Sequence, residues 1–314
     1  TRTAANVAPV SGGQYLGRYQ LLAKLASGGM ATVFLARIGG VGGFDRRVAI
    51  KVLHPHLSED AQIRDMFLDE ARLAARFRHP NVVPVTDVGD EPGHGTFLVM
   101  DYIEGCDLSK VIRTASQRQT KLSPVVVARI VYDMLGGLTA AHELKDGDGN
   151  ALGVVHRDIS PHNVIVGVDG IARITDFGIA KAATGKEEKP GKLKGKVPYM
   201  SPEQATSNAD AVDTRADVYA LGVVLYELLT GSLPIEVGDT TVFEALRRVD
   251  FRHPAFRRFR CDPAQEFRQR LPVAQMRRAG AVHFRLVLDR LWQLAGVGAA
   301  LHFRARRRKP RLDP

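Results

Sequence analysis

His156-Arg157-Asp158-Ile159-Ser160-Pro161-His162-Asn163, followed after a short strand-like run at 172–175 by Asp176-Phe177-Gly178, is the stretch on which the fold turns. Asp158 and Asn163 share one loop, and Asp176 comes 18 residues after Asp158. Carboxylate and carboxamide oxygens are hard ligands that suit Mg²⁺, which takes few ligands from protein and fills the rest of its shell with phosphate oxygens and water. A loop carrying such residues therefore points to chemistry on a phosphorylated ligand.

Upstream lie the parts such a site needs. Strand-like runs at 19–26, 31–38 and 47–53 are rich in β-formers. Between the first two stands Ala26-Ser27-Gly28-Gly29-Met30-Ala31-Thr32-Val33, where glycines at a tight turn let backbone N–H groups approach phosphate oxygens with no Cβ in the way. The third run holds Val48-Ala49-Ile50-Lys51, a lysine on an otherwise apolar strand. The pattern then predicts a helix over 58–78, with Ser58 as N-cap and Glu59 and Asp60 in the first turn. Glu70 lies in its apolar stripe with Ile63, Met66, Phe67, Ala74 and Phe77. A carboxylate there is costly without a cation, so Glu70 is the candidate partner of Lys51.

Downstream, strands are expected at 84–90 and 96–102, then a long helix from Ser123-Pro124 to about 144, with proline in its first turn. Ser201-Pro202-Glu203 precedes a run over 216–230 that is apolar nearly all round, which predicts a buried helix ending at Gly231. Asp217 lies in its first turns. Two stretches look functional and are better read as connections. Gly39-Gly40-Val41-Gly42-Gly43 joins two strands and meets no helix N-terminus. Asp146-Gly147-Asp148-Gly149-Asn150 lacks the glycine and closing glutamate of a calcium loop, since those positions hold Ala151 and Arg157.

With these motifs in order, residues 19–230 resemble the protein kinase superfamily, specifically the bacterial serine/threonine kinases of eukaryotic type. The resemblance implies an α+β, bilobal protein-kinase-like fold with a small β-rich N-lobe and a mainly helical C-lobe, incomplete after about residue 250. It implies ATP and Mg²⁺ as cofactors and transfer of the γ-phosphate to serine or threonine hydroxyls of protein substrates. Gly28 and Gly29 would cover the phosphates, and Lys51, paired with Glu70, would bind the α- and β-phosphates. Met100 would gate the back of the adenine slot, with Asp101 to Ile103 as the hinge. Ala26, Val33, Ala49 and Asp107 complete the implied nucleotide contacts. Asp158 would accept or orient the substrate hydroxyl proton, Asn163 and Asp176 would hold Mg²⁺, Asp217 would brace the catalytic loop, and Glu203 would anchor the end of the activation segment.

Four departures stand beside the resemblance. The first and third glycines of the usual loop are Ala26 and Ala31. Ser160 replaces a lysine that touches the transferring phosphate, and Lys196 replaces a threonine ahead of Ser201-Pro202-Glu203. Thr184 is the only Ser or Thr between Gly178 and Tyr199, in a stretch rich in lysine that an acidic partner could recognise. From about Asp250 the text becomes Arg-rich with no family match, and no arginine stands where a partner for Glu203 is expected. A nucleotide-binding pseudokinase or scaffold with weak transfer is the alternative reading.

Composition frames all this. The 314 residues are 45% hydrophobic and 25% charged, which is ordinary globular usage. No run of about 18 apolar residues is present, and the small polar residues at 1–13 predict no export signal. Two cysteines, Cys106 and Cys261, exclude a disulfide framework and favour a reducing, cytoplasmic setting. Residues 247–314 hold 17 Arg and one Lys against five acids, a net +13, whereas 1–246 carry a net −3. The expected division is a flexible leader at 1–17, N-lobe and hinge at 18–103, a partial C-lobe at 104–249 and the Arg-rich segment at 250–314. That last segment has two readings. It is either a basic extension for an acidic partner, nucleic acid or an anionic membrane, or text from a shifted reading frame, the reading favoured. No specific nucleic-acid motif is present.

Overall fold

The computed structural model describes residues 8–9, 14–40, 43, 45–91, 93–177, 197–205 and 212–234. Most of the leader, the lysine-rich stretch with Gly178, Thr184 and Lys196, and the whole of 250–314 lie outside the described residues.

The N-terminal part is a seven-stranded antiparallel sheet. Its strands are β1 (Ala8–Pro9), β2 (Tyr15–Leu16), β3 (Tyr19–Ser27), β4 (Ala31–Gly39), β5 (Asp45–Leu53), β6 (Val85–Glu91) and β7 (Gly95–Asp101). The order is β1-β3-β4-β5-β7-β6, with β2 on β3. Because side chains alternate across a strand, β5 divides its residues between two cores. Val48, Ile50 and Val52 face an outer cluster with Tyr19, Leu21, Phe97 and Val99. Ala49 and Leu53 face an inner cluster with Leu98, Met100 and helix α2 (Ala61–Ala74). Lys51 shares the parity of Ala49 and Leu53, so the alternation that buries β5 also aims its lysine at α2.

The helix expected over 58–78 is two pieces. Pro55 opens a single turn, α1 (Pro55–Ser58), and α2 begins only at Ala61. Its cap is Asp60, not Ser58; the Asp60 carboxylate accepts from the N–H groups of Gln62 and Ile63 at 3.1 and 3.3 Å. The helix stops at Ala74, with Ala75 as its C-cap. Glu70 is buried in the stripe with Ile63, Met66, Phe67, Ala71 and Ala74.

The second core is helical. It contains α3 (Leu108–Gln117), α4 (Pro124–His142), α5 (Pro202–Ala205) and α6 (Thr214–Thr230), beside a small sheet β10-β9-β8 of β8 (Gly105–Asp107), β9 (Val164–Gly167) and β10 (Ala172–Ile174). Ser123 caps α4 by accepting from Val126 N–H at 3.3 Å. α6 ends at Gly231 in the left-handed region, φ +79°, where a side chain would be strained. By length and composition α4 could cross a membrane, but it is a core helix here, packed against α6 and β10 through Ile130, Met134, Leu138 and Leu225. Gly137 lets it approach the 79–83 connection, since a Cβ there would fall 2.7 Å from the Asn81 carbonyl oxygen. That connection is tied to β10: Asn81 Nδ2 donates to the Ala172 carbonyl at 3.0 Å, and Val83 N–H donates to the Ile174 carbonyl at 2.9 Å. The two cores are thereby joined just behind α2. The Asp146 to Asn150 stretch is a turn, its Asp146 Oδ1 accepting from the N–H groups of Asp148 and Asn150.

Candidate active site

Three elements bring their charges to one place. Lys51 Nζ, on β5, lies 3.1 Å from Glu70 Oε1 on α2 and 2.8 Å from Asp176 Oδ1 just after β10. The lysine side chain is 16% exposed, so its charge is costly alone. Burial opposes the charge of Lys51, yet the facing carboxylates of Asp176 and Glu70 outweigh it and hold its pKa above the ordinary lysine value. For Asp176, burial pushes upward, but the Lys51 ammonium wins and the carboxyl stays below the usual aspartate range. Nζ also lies 5.8 Å above the Phe67 ring.

The 156–163 loop is organised by Asp217 at the start of α6. Its Oδ2 accepts from His156 N–H and from His142 Nε2, and its Oδ1 accepts from Arg157 N–H, each at 2.8 Å. Asp217 is buried at 1% exposure, where unmet donors would be costly. This bracing matters because Arg157 has φ +64° and Asp176 φ +58°, conformations that L side chains rarely adopt. Such residues persist where their surroundings over-determine them.

His156 is neutral by the same logic. Its Nδ1 accepts from Asp158 N–H at 3.2 Å, which leaves Nε2–H to donate to the Thr175 carbonyl at 3.1 Å. Burial pushes its pKa below the ordinary histidine value despite the nearby Asp217 and Asp158 carboxylates. The Phe177 ring sits between His156 and Phe77, with centroid distances of 4.7 and 4.4 Å.

Asn163 Nδ2 donates to the Asp158 carbonyl at 2.8 Å and to Asp158 Oδ2 at 2.7 Å. Its amino group is thus committed to Asp158, leaving the amide oxygen as the group available to a cation. Together with Asp176, whose side chain is 35% exposed, this is a donor set of two hard oxygens. Among the described residues no three His, Cys, Asp or Glu side chains form a protein-only metal site. A sparse oxygen set fits a Mg²⁺ ion that shares its shell with phosphates.

The residues expected to contact a nucleotide fall around the inner cluster. Ala49 and Met100 are buried in it, and Val33, Ile103 and Met30 pack against it from the cleft side. Ile165 of β9 also packs against the same cluster; β9 has only four residues, too few to show a pattern in the sequence. Gly28 and Gly29 form the β3–β4 turn beside Ala26, closed by Gly28 N–H to the Ala31 carbonyl at 2.8 Å. His54 holds that turn from behind, its N–H on the Met30 carbonyl and its ring Nε2 3.1 Å from the Gly28 carbonyl. Asp101 pairs with Arg46, and Asp107 caps α3 through Lys110 N–H at 2.9 Å. Glu203 lies on α5, with Arg215 and Tyr219 of α6 in its electrostatic reach. Ser160 is buried, and its Oγ has no hydrogen-bond partner among the described residues.

Comparison with known proteins gives one answer. The pattern of the protein kinase domain matches residues 19–272, past the boundary expected at 249. Tyrosine-protein kinase MasK of Myxococcus xanthus is 42% identical over 254 residues, covering 80% of this chain and 38% of that protein. Serine/threonine-protein kinase PrkC of Bacillus subtilis is 35% identical over 244 residues, covering 77% of this chain and 35% of its own length. The chain thus spans little more than a third of these two relatives. The crystal structure of the Mycobacterium tuberculosis PknI kinase domain superposes with a TM-score of 0.54 at 30% identity, covering 74% of this chain and 81% of that one. The ordered motifs, the two-core architecture and the matched relatives agree, and the chain belongs to the protein kinase domain family, in its eukaryotic type.

Proposed function

We propose that this chain transfers the γ-phosphoryl group of ATP, with Mg²⁺, to serine or threonine hydroxyls of protein substrates. The observation that carries the reading is the convergence of Lys51, Glu70 and Asp176 at one ammonium, beside an Asp158 carboxylate fixed by Asn163. Phosphoryl transfer asks a protein mainly for positioning and charge neutralisation. Lys51 holds the phosphates of the nucleotide. Asp158 orients the acceptor hydroxyl and takes its proton as the new P–O bond forms and the bond to the departing ADP oxygen breaks. Asn163 and Asp176 would hold the cation, which when bound would neutralise charge on the phosphate oxygens. The proposed lobes run over 18–103 and 104–249, with the cleft lined by Ala26, Gly28, Gly29, Val33, Ala49, Met100, Asp101, Ile103 and Asp107. The lack of a disulfide framework supports a cytoplasmic placement, and the charge of 250–314 supports an acidic partner there.

The test is transfer of radiolabelled γ-phosphate from Mg-ATP to the chain itself and to a generic acceptor protein, with Asp158→Asn as control. Label on serine or threonine that vanishes in the control is the expected result. Nucleotide binding without transfer overturns it in favour of a pseudokinase.

A second reading concerns the acceptor. Ser160 stands where the resemblance places a lysine, and the relative at 42% identity is named a tyrosine-protein kinase. The second of these favours a site open to tyrosine. Phosphoamino-acid analysis of the labelled product separates the two readings.

A further inference from the structure

Gln204, on the short α5, uses both ends of its side-chain amide. Its Oε1 accepts from Ser201 N–H at 3.1 Å and from Ser201 Oγ at 3.2 Å. Its Nε2 donates to the Arg157 carbonyl at 2.8 Å, across 47 residues of sequence. Ser201 is fully buried and follows the buried turn Val197–Tyr199, so the far end of the amide is fixed to the segment that leads into α5.

The carbonyl that Gln204 grips belongs to the peptide joining Arg157 to Asp158. The N–H of that same peptide donates to His156 Nδ1 at 3.2 Å, so the plane is held from both sides. Arg157 is the left-handed residue of the loop, with its own N–H on Asp217. Rotating this peptide would redirect the Asp158 Cα–Cβ bond. Of the hydrogen bonds to the 156–158 backbone, the one from Gln204 comes from the 197–205 segment, whereas those from Asp217 come from the core of the helical lobe.

We propose that Gln204 is a positioning residue for phosphoryl transfer. Through the Arg157 carbonyl it holds the Asp158 peptide in its working orientation, and it does so only while the 197–205 segment is docked. Docking of that segment thereby becomes a condition of turnover rather than of nucleotide binding. The inference rests on the kinase reading of Asp158.

The test compares two variants. Gln204→Met keeps the length of the side chain and removes both polar ends. Gln204→Glu keeps the oxygen that Ser201 uses and removes the donor to Arg157. Both are expected to lower kcat about tenfold, the loss of one part-buried hydrogen bond, with KM for ATP changed by less than about twofold. Amide hydrogen exchange at Asp158 is expected to quicken in both variants, with α4 and α6 unchanged. A Gln204→Glu protein with wild-type kcat would mean that only the Ser201 contacts matter, and the proposal fails. It fails equally if both variants raise KM for ATP in step with lost kcat, or if exchange at Asp158 is unaltered. Should Gln204→Met not fold, Gln204→Glu decides alone. If wild-type protein transfers no phosphate, the kinase reading falls, and exchange at Asp158 still tests the clamp.

Discussion

Lys51 Nζ is closer to Asp176 Oδ1, at 2.8 Å, than to Glu70 Oε1, at 3.1 Å. One ammonium thus ties a strand and a helix of the N-terminal core to the second residue after β10. The pair Lys51–Asp176 spans 125 residues of chain, so this contact forms only when both cores are assembled.

Replacing Lys51 by Met is expected to abolish transfer and to destabilise the fold. Removing one member of a buried ionic set strands the others, typically at about 3–5 kcal/mol. The exposure of Asp176 places the expected loss at the lower end of that range. Urea denaturation of Lys51→Met beside wild type measures the stability term, and label transfer measures the catalytic one.

Asp176→Ala is expected to behave differently. Lys51 keeps Glu70 as partner, so the fold should survive with a small drop in melting temperature, while transfer falls by about a hundredfold or more. Undiminished transfer would remove Asp176 from the cation site.

Asp217→Ala leaves the N–H groups of His156 and Arg157 and the Nε2 of His142 without their acceptor. A loss of about 3 kcal/mol or more is expected, since each buried donor left unmet costs about 1–3 kcal/mol. Asp217→Asn should retain part of this stability, because one acceptor oxygen remains. Melting curves of the two variants provide the comparison.

The pH dependence of stability follows from His156. Its folded pKa lies below the ordinary value of 6.5, chiefly through burial. The unfolded chain therefore binds the proton first as pH falls. The stabilisation is fully present above about pH 6.5 and drains away below it, toward the folded pKa. His79, also lowered by burial, acts in the same direction. Denaturation at about pH 7.5 and about pH 5.5 should show a loss on acidification that is smaller in His156→Gln.

Ser160→Ala is expected to leave stability unchanged or to raise it by up to about 1 kcal/mol, because the buried Oγ meets no partner among the described residues. Equal transfer by this variant would show that a small residue there, rather than its hydroxyl, is what the acceptor site needs.

Much of the site could be read before any coordinates, for a physical reason. Lys51 and Glu70 are charges set into apolar periodicities, and a charge in a stripe announces a partner. Asp158, Asn163 and Asp176 lie in compact motifs whose residue types name their chemistry. Gln204, His142 and His54 give no such signal: each is an ordinary polar residue whose meaning comes from a group distant in sequence, a backbone carbonyl for Gln204 and His54 and the Asp217 carboxylate for His142. The sequence leaves the start of α2 between Ser58 and Asp60, both good caps, and only the separate turn opened by Pro55 chooses between them. β10 shows as the strand-like run at 172–175, but β8 and β9 hold only three and four residues, too few for alternation to declare itself. Ile165 was missed with them.

The ring of Phe177, seated between Phe77 and His156, bears on how reliably its neighbour serves. Swinging that ring into water would forfeit about 1.5–3 kcal/mol of apolar burial, a bias of roughly ten- to a hundredfold at room temperature. Burial of that ring therefore helps to hold the adjacent Asp176 where its carboxylate meets Lys51.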